Sequence, residues 1–173
     1  ASSAETIAIG ATVEASGSQS TAIGNDITAA GAQSVVIGSN FNNGSGFTGN
    51  TSTGIGGVAI GSGLTGGSAG NKYSSPEANG QGSLALGSSG GGTATGNGLL
   101  NINGYTYDKN GAVATGAYSA ALLQGSETKA DRSIAFGVEA LADTNAVDSI
   151  SLGTKSTTSA NKTVAIGRDA NAS

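Results

Sequence analysis

The sequence predicts an all-β fold, a parallel β-roll of 14-residue repeats, and three observations predict it. Pentads of the form Ser/Thr, apolar, small, apolar, Gly recur in register along the 173 residues. A second glycine marks the midpoint of several repeats: Gly17 lies midway between Gly10 and Gly24, and Gly31 midway between Gly24 and Gly38. Within each pentad the large apolar residues alternate with small ones, the period of two that belongs to a strand.

The pentads run from one end of the chain to the other. They read Thr6-Ile7-Ala8-Ile9-Gly10, Ser20-Thr21-Ala22-Ile23-Gly24 and Ser34-Val35-Val36-Ile37-Gly38, with closing glycines 14 apart. Gly57-Val58-Ala59-Ile60-Gly61 and Ser83-Leu84-Ala85-Leu86-Gly87 follow. The last three are Ser133-Ile134-Ala135-Phe136-Gly137, Ser149-Ile150-Ser151-Leu152-Gly153 and Thr163-Val164-Ala165-Ile166-Gly167. A ninth, weaker copy, Ser119-Ala120-Ala121-Leu122-Leu123, ends one full repeat before Gly137, with Leu123 in the glycine position. Internal repetition of this kind signals a solenoid.

Each repeat is two equal halves, and each half is long enough for a short strand and a tight turn. Gly supplies the positive φ that such turns often need. Two strands and two turns close one rung, and the next rung stacks about 4.8 Å away with parallel hydrogen bonding. The large pentad residues, Ile7 and Ile9 or Val35 and Ile37, are expected in the core. The second halves offer smaller inward pairs: Val13 and Ala15, Ile27 and Ala29, Ala112 and Ala114, Ala170 and Ala172. On this reading Ala8, Ala22, Ala59, Ala85 and Ala135 form a flat outer face suited to packing against identical copies. Ile37 is then a core residue and Thr28 an exposed one.

Composition restricts function. Gly supplies 31 of the 173 residues, far above the usual ~7%, yet the apolar residues keep register, so the chain is not a flexible linker. Cys and His are absent, which excludes zinc sites, thiol chemistry and His-based catalysis. A net charge of −4 argues against a nucleic-acid partner. No catalytic, cofactor-binding or metal site is expected: the carboxylates lack calcium-loop spacing, and Gly90-Gly91-Gly92 runs into Thr93-Ala94 without a phosphate-loop ending. Lys129, Asp131 and Arg132 form the one tight mixed cluster, read as a solvated turn.

Departures from the repeat spacing locate insertions in a single domain, 1–173. The intervals Gly38 to Gly61, Gly61 to Gly87 and Gly87 to Leu123 are too long by 9, 12 and 22, and Gly137 to Gly153 by 2. The three long insert regions lie at approximately 39–56, 62–81 and 88–111. Aromatics gather there: Phe41 and Phe47, then Tyr73, then Tyr105 and Tyr107, whereas Tyr118 and Phe136 lie on rungs. Around Asn103-Gly104 the alternation Leu100, Ile102, Tyr105, Tyr107 predicts a hairpin. Phe47, Tyr73, Tyr105 and Tyr107 are candidate ligand contacts; the alternative is that their rings cover the roll or a neighbouring chain.

The Ser-x-Ala-Ile-Gly pentad at 14-residue spacing resembles the heads of trimeric autotransporter adhesins of Gram-negative bacteria, the YadA-like type. The resemblance covers nearly all of the chain outside the inserts. It implies a left-handed roll, three interlocked chains, and exposure at the cell surface on a stalk anchored in the outer membrane. A basic neck motif, coiled-coil heptads and anchor strands are missing from these residues, as expected of a head fragment whose membrane anchoring lies elsewhere. The function so implied is attachment to host cells or to matrix proteins such as collagen, fibronectin or laminin, with autoagglutination. The alternative is a structural spacer or an ice-binding solenoid. The outward Thr rank of an ice binder is broken here by Ser20, Ser34, Ser83, Ser133 and Ser149.

Overall fold

The computed structural model describes residues 2–41, 50–64, 75–88, 99–102, 105–108 and 111–173. Among these, nine rungs stack in one parallel array. Rungs 1 and 2 are unbroken strands, β1 (Ile7–Ala15) and β2 (Thr21–Ala29). Rung 3 is β3 (Val35–Phe41) with β4 (Thr51–Ser52), and rung 4 is β5 (Val58–Leu64) with β6 (Glu77–Ala78). Rung 5 opens with β7 (Leu84–Leu86), carries the hairpin of β8 (Leu99–Ile102) and β9 (Tyr105–Asp108), and closes with β10 (Val113–Ala114). Rungs 6 and 7 are β11 (Ala120–Leu122) with β12 (Glu127–Thr128), and β13 (Ile134–Phe136) with β14 (Leu141–Ala142). Rungs 8 and 9 are β15 (Ile150–Leu152) with β16 (Thr157–Thr158), and β17 (Val164–Ile166) with β18 (Asn171–Ala172).

The predicted period is the pairing register. Ile9 pairs with Ile23, Ile23 with Ile37, and Leu152 with Ile166, each one repeat further along the chain. Pentad strands form one face, in the order β17-β15-β13-β11-β7-β5-β3-β2, and the second strands form the other, from β2 through β4 to β18. The weak ninth copy is a full rung, with Leu122 between Leu86 and Phe136.

The sense of the pentad is the reverse of the expectation. Its first and third residues point inward: Ser34 and Val36, or Ser133 and Ala135, are all 0% exposed. Ala22, Ala59 and Ala85 are core residues rather than an outer face, and Ala8 packs against that core. Ile37 is 38% exposed, and Ile7 and Ile9 more so. Alternation says which residues share a face but not which face is inside; the volume between the sheets decides. The inward residues of the second strands behave as expected, with Ile27, Ala29, Ala112 and Ala114 buried and Val13 packed against them. Ala170 and Ala172 on the last rung are half-buried, as is the outward Thr28. Opposite these inward residues stands a row mainly of Ser and Ala, and the pentad isoleucines stay outside.

On rungs 6 to 8 small polar residues suit this narrow interior because their hydroxyls reach the turns, whereas the buried hydroxyls of Ser20, Ser34 and Ser83 make no such bond. Ser119 donates to the Gly116 carbonyl at 2.7 Å and Ser133 to that of Ala130 at 2.7 Å. Hydroxyl pairs also cross the core, Ser119 with Thr128 at 2.9 Å and Ser149 with Thr158 at 3.1 Å. Buried hydroxyls paired in this way avoid the roughly 1–3 kcal/mol that an unsatisfied one costs.

The turns correct a second expectation. Their left-handed residues are mostly not glycine: Gln19, Gln33, Tyr118, Arg132, Asp148 and Lys162 on one edge have φ from 53° to 60°. Glu139, Lys155 and Asp169 on the opposite edge have φ of 57°, 59° and 56°. Such residues cost roughly 1–2 kcal/mol in this conformation. The turns bond to each other and so hold it: Arg132 N–H donates to the Ala117 carbonyl at 2.8 Å, and Lys162 N–H to that of Val147 at 2.9 Å. The pentad glycines answer a different need. A β-carbon on Gly24, at φ 150°, would overlap the carbonyl of Gly38 on the next rung.

Candidate interaction surfaces

Three surfaces stand out from this frame. The first is the outward side of the pentad sheet. One column reads Ile7, Thr21, Val35, Val58, Leu84, Ala120, Ile134, Ile150 and Val164 along the register. Beside it runs Ile9, Ile23, Ile37, Ile60, Leu86, Leu122, Phe136, Leu152 and Ile166. Thr21 alone in these two columns is not apolar. Eight steps of about 4.8 Å make a ladder about 38 Å long. Its more open members run from 37% exposed at Ile60 to 67% at Ile166, and the others are half-buried. A continuous apolar surface on this scale is a candidate interaction site. Alternation and size read alone place these side chains in the core. The usable signal is the size of their neighbour: the third pentad position is Ala in most copies, as a packed interior demands, whereas the flanking positions range from Ala to Phe.

The second surface is the pair of turn edges. Glu5, Gln19 and Gln33 form a side-chain ladder, Gln19 Nε2 donating to Glu5 at 2.7 Å and Gln33 Nε2 to Gln19 at 3.1 Å. Further along the same edge the Tyr118 ring lies over Gly82, where an added β-carbon would be 2.9 Å from it. Beyond Tyr118 come Arg132, Asp148 and Lys162. Arg132 grips Asp148 with two bonds, at 2.6 and 3.2 Å. This contact above all holds the Asp148 carboxyl below the usual range and the guanidinium above its own. The opposite edge carries Glu139, with Lys155 Nζ at 3.6 Å, and then Asp169, with Arg168 Nε at 3.4 Å. Lys129, Asp131 and Arg132 are exposed turn residues, as expected; Lys129 contacts Glu127 at 3.4 Å and Asp131 accepts the Ala117 N–H at 2.8 Å.

The third surface is the insert edge. All three long insertions leave after a pentad strand and return to a second strand, so they emerge on the edge that carries Glu139 and Lys155. The short excess between Gly137 and Gly153 falls on the other edge, where Asp143 accepts the Thr144 N–H at 2.8 Å, the main cause of its lowered pKa. Of the candidate contacts, Tyr105 and Tyr107 lie on β9, paired with Ile102 and Leu100 across the expected hairpin. Phe47 and Tyr73 lie outside the described residues. Phe41 ends β3, and Phe136 belongs to the apolar ladder.

Among the described residues no three His, Cys, Asp or Glu are grouped to hold a metal ion. The surfaces on view suit protein contact. The family described as the YadA head domain repeat (2 copies) matches residues 1–26, 15–40 and 145–170, which fall on rungs 1 to 3 and 8 to 9. No curated protein matches the chain.

Proposed function

We propose that this chain, whose repeats match those of YadA-like trimeric autotransporter adhesin heads, works as three copies packed through their apolar ladders on the outer surface of a Gram-negative bacterium. The carrying observation is the double column of outward Ile, Val, Leu and Phe on the pentad sheet. Three copies about an axis parallel to the stack bury all three ladders together. Two copies would cover one face with another and leave no place for a third. The mostly polar second sheets, with Glu14, Thr28, Glu127 and Thr157 outward, then face solvent.

Adhesion falls to what the assembly presents outside, and we assign it to the inserts of rungs 3 to 5, which leave the roll at the corners where two copies meet. The aromatic residues Phe47, Tyr73, Tyr105 and Tyr107 concentrate in insertions that the roll does not need for its own register. Three copies of each insert raise a weak contact to useful avidity. The ligands this suits are matrix proteins such as collagen, fibronectin or laminin, or a second bacterium's head in autoagglutination. Catalysis has no part in this reading.

The test combines mass and binding. Light scattering of the protein at micromolar concentration is expected to give three chain masses. Replacement of residues 99–110 by a short Gly-Ser turn is expected to keep that mass and to lower binding to immobilised matrix proteins. Full binding by the replaced protein moves adhesion to the regular flank of the roll. A protein that binds none of these ligands, with or without the insert, favours the spacer.

A further inference from the structure

The apolar ladder leaves one quantity undetermined, the height of one copy relative to the next. Ile37, Ile60, Leu86 and Leu122 look alike to a partner, so a slide of one rung, about 4.8 Å, costs the apolar contact little. Closed three-fold symmetry nevertheless requires no slide at all.

From the two turn edges we infer that they carry an electrostatic register code, read by a second copy of this chain. In a cyclic arrangement with the pentad sheets inward, the edge bearing Arg132 on one copy meets the edge bearing Glu139 on the next. This rests on the trimeric reading above. At equal height the pairs are Arg132 with Glu139 on rung 7, Asp148 with Lys155 on rung 8, and Lys162 with Asp169 on rung 9. Each pair is half a repeat apart in the chain and opposite in sign. A slide of one rung in one direction sets Arg132 against Lys155 and Asp148 against Asp169. The other direction sets Asp148 against Glu139 and Lys162 against Lys155. Every contact is then between like charges.

Neighbouring charges complicate two of the three rungs. Asp131 sits beside Arg132 but is held by the Ala117 N–H, and Arg168 sits beside Asp169 at 3.4 Å. Rung 8 is the clean case, since Val147 and Thr154 are the turn neighbours of Asp148 and Lys155.

Each edge also alternates along its own length, which accounts for Arg132 with Asp148 and Lys155 with Glu139 inside one chain. That local pairing does not require the two edges to be complementary. They stand a strand width apart, roughly 16 Å for five residues. This is about two screening lengths at physiological salt. Complementarity between them therefore acts between copies, where it suppresses wrong registers by repulsion.

The chain has no cysteine, so two engineered ones report the height directly. Asp148→Cys with Lys155→Cys, at the same height, is expected to yield a covalent trimer on oxidation. Asp148→Cys with Asp169→Cys, offset by one rung, is expected to run as single chains. The charges are tested by reversal at low salt. Asp148→Lys and Lys155→Glu are each expected to raise the trimer dissociation constant about tenfold. The double reversal breaks the local ladder on both edges but restores the contact between copies, and is expected to recover most of the loss. A trimeric parent whose offset pair cross-links as readily, or whose double reversal is no better than the product of the singles, overturns the register code alone. A monomeric parent overturns the trimer and the code with it.

Discussion

On rung 2 the pentad strand turns Ser20 and Ala22 inward and leaves Ile23 outside, whereas the second strand turns Ile27 and Ala29 inward and Thr28 outward. Both strands alternate with period two, yet one gives its large residue to the core and the other withholds it. On rung 7 small residues fill the core from both sides, Ser133 and Ala135 facing Ala140 and Ala142, and Leu141 goes outside with Ile134 and Phe136. Apart from Val36, the pentad sheet thus keeps its large residues outside along the stack, and the second sheet does so only where small residues face it across the core. Each sheet is filled according to what lies beyond it. In the proposed trimer the pentad sheet has a second apolar environment to serve, and the roll keeps mainly Ser and Ala there for its own interior.

The largest effect is expected where this division is violated from inside. Ala135→Leu adds volume to a position with no exposure, and is expected to cost about 1–3 kcal/mol per chain in chemical denaturation. The neighbouring Ile134→Leu, which conserves volume on the outer face, is expected to cost well under that. Equal losses for the two would erase the distinction between the faces.

Ile37→Ala probes the same distinction from outside. The side chain is already more than half covered within its own chain, being 38% exposed. Assembly is left to bury the remainder, worth roughly 0.5–1 kcal/mol per chain. That part of the loss is expected to vary with protein concentration, in addition to the packing lost within the chain, which dissociated chains also show. A loss independent of concentration would return Ile37 to the core.

The smallest effect belongs to the exposed charges. Asp148 is held below the usual carboxylate pKa by Arg132, so its contribution is present above about pH 4 and fades as pH falls through the lowered value. Asp148→Asn is expected to flatten the acid limb of the stability profile slightly while leaving the neutral and basic limbs parallel. An unchanged acid limb removes the ion pair from the account.

Much of this architecture is legible in the residues themselves. The repeat step decides which side chains stack, so the nine rungs, the parallel register and the positions of the insertions follow from glycine spacing. Asn103-Gly104 between alternating residues is enough for the hairpin. The direction of the pentad is not legible in the same way, because Ile23-Gly24 and Ile37-Gly38 read the same whether the isoleucines face a core or a partner. The turns mislead for a related reason. A left-handed conformation at Arg132 or Lys155 is stabilised by a carbonyl on the previous rung, that of Ala117 or Val138, far away in sequence. Local composition points to glycine instead. Of the candidate contacts, Tyr105 and Tyr107 are placed on the hairpin strand by the alternation around Asn103-Gly104. What they touch is not encoded by the repeat.

The parallel rungs have a mechanical consequence. Their strands lie across the axis of the stack, so a pull along that axis loads the hydrogen bonds between rungs end-on, as a zipper does. A rung released from the stack frees one full repeat, which stretches to about 46–50 Å in place of a rise of about 4.8 Å. Each yielding rung without an insertion therefore lengthens the chain by roughly 40–45 Å while the rungs on either side keep their pairing. Rungs of the plain repeat would shed load in equal steps and rungs 3 to 5, which carry the long insertions, in longer ones, each recoverable by restacking on the rung below.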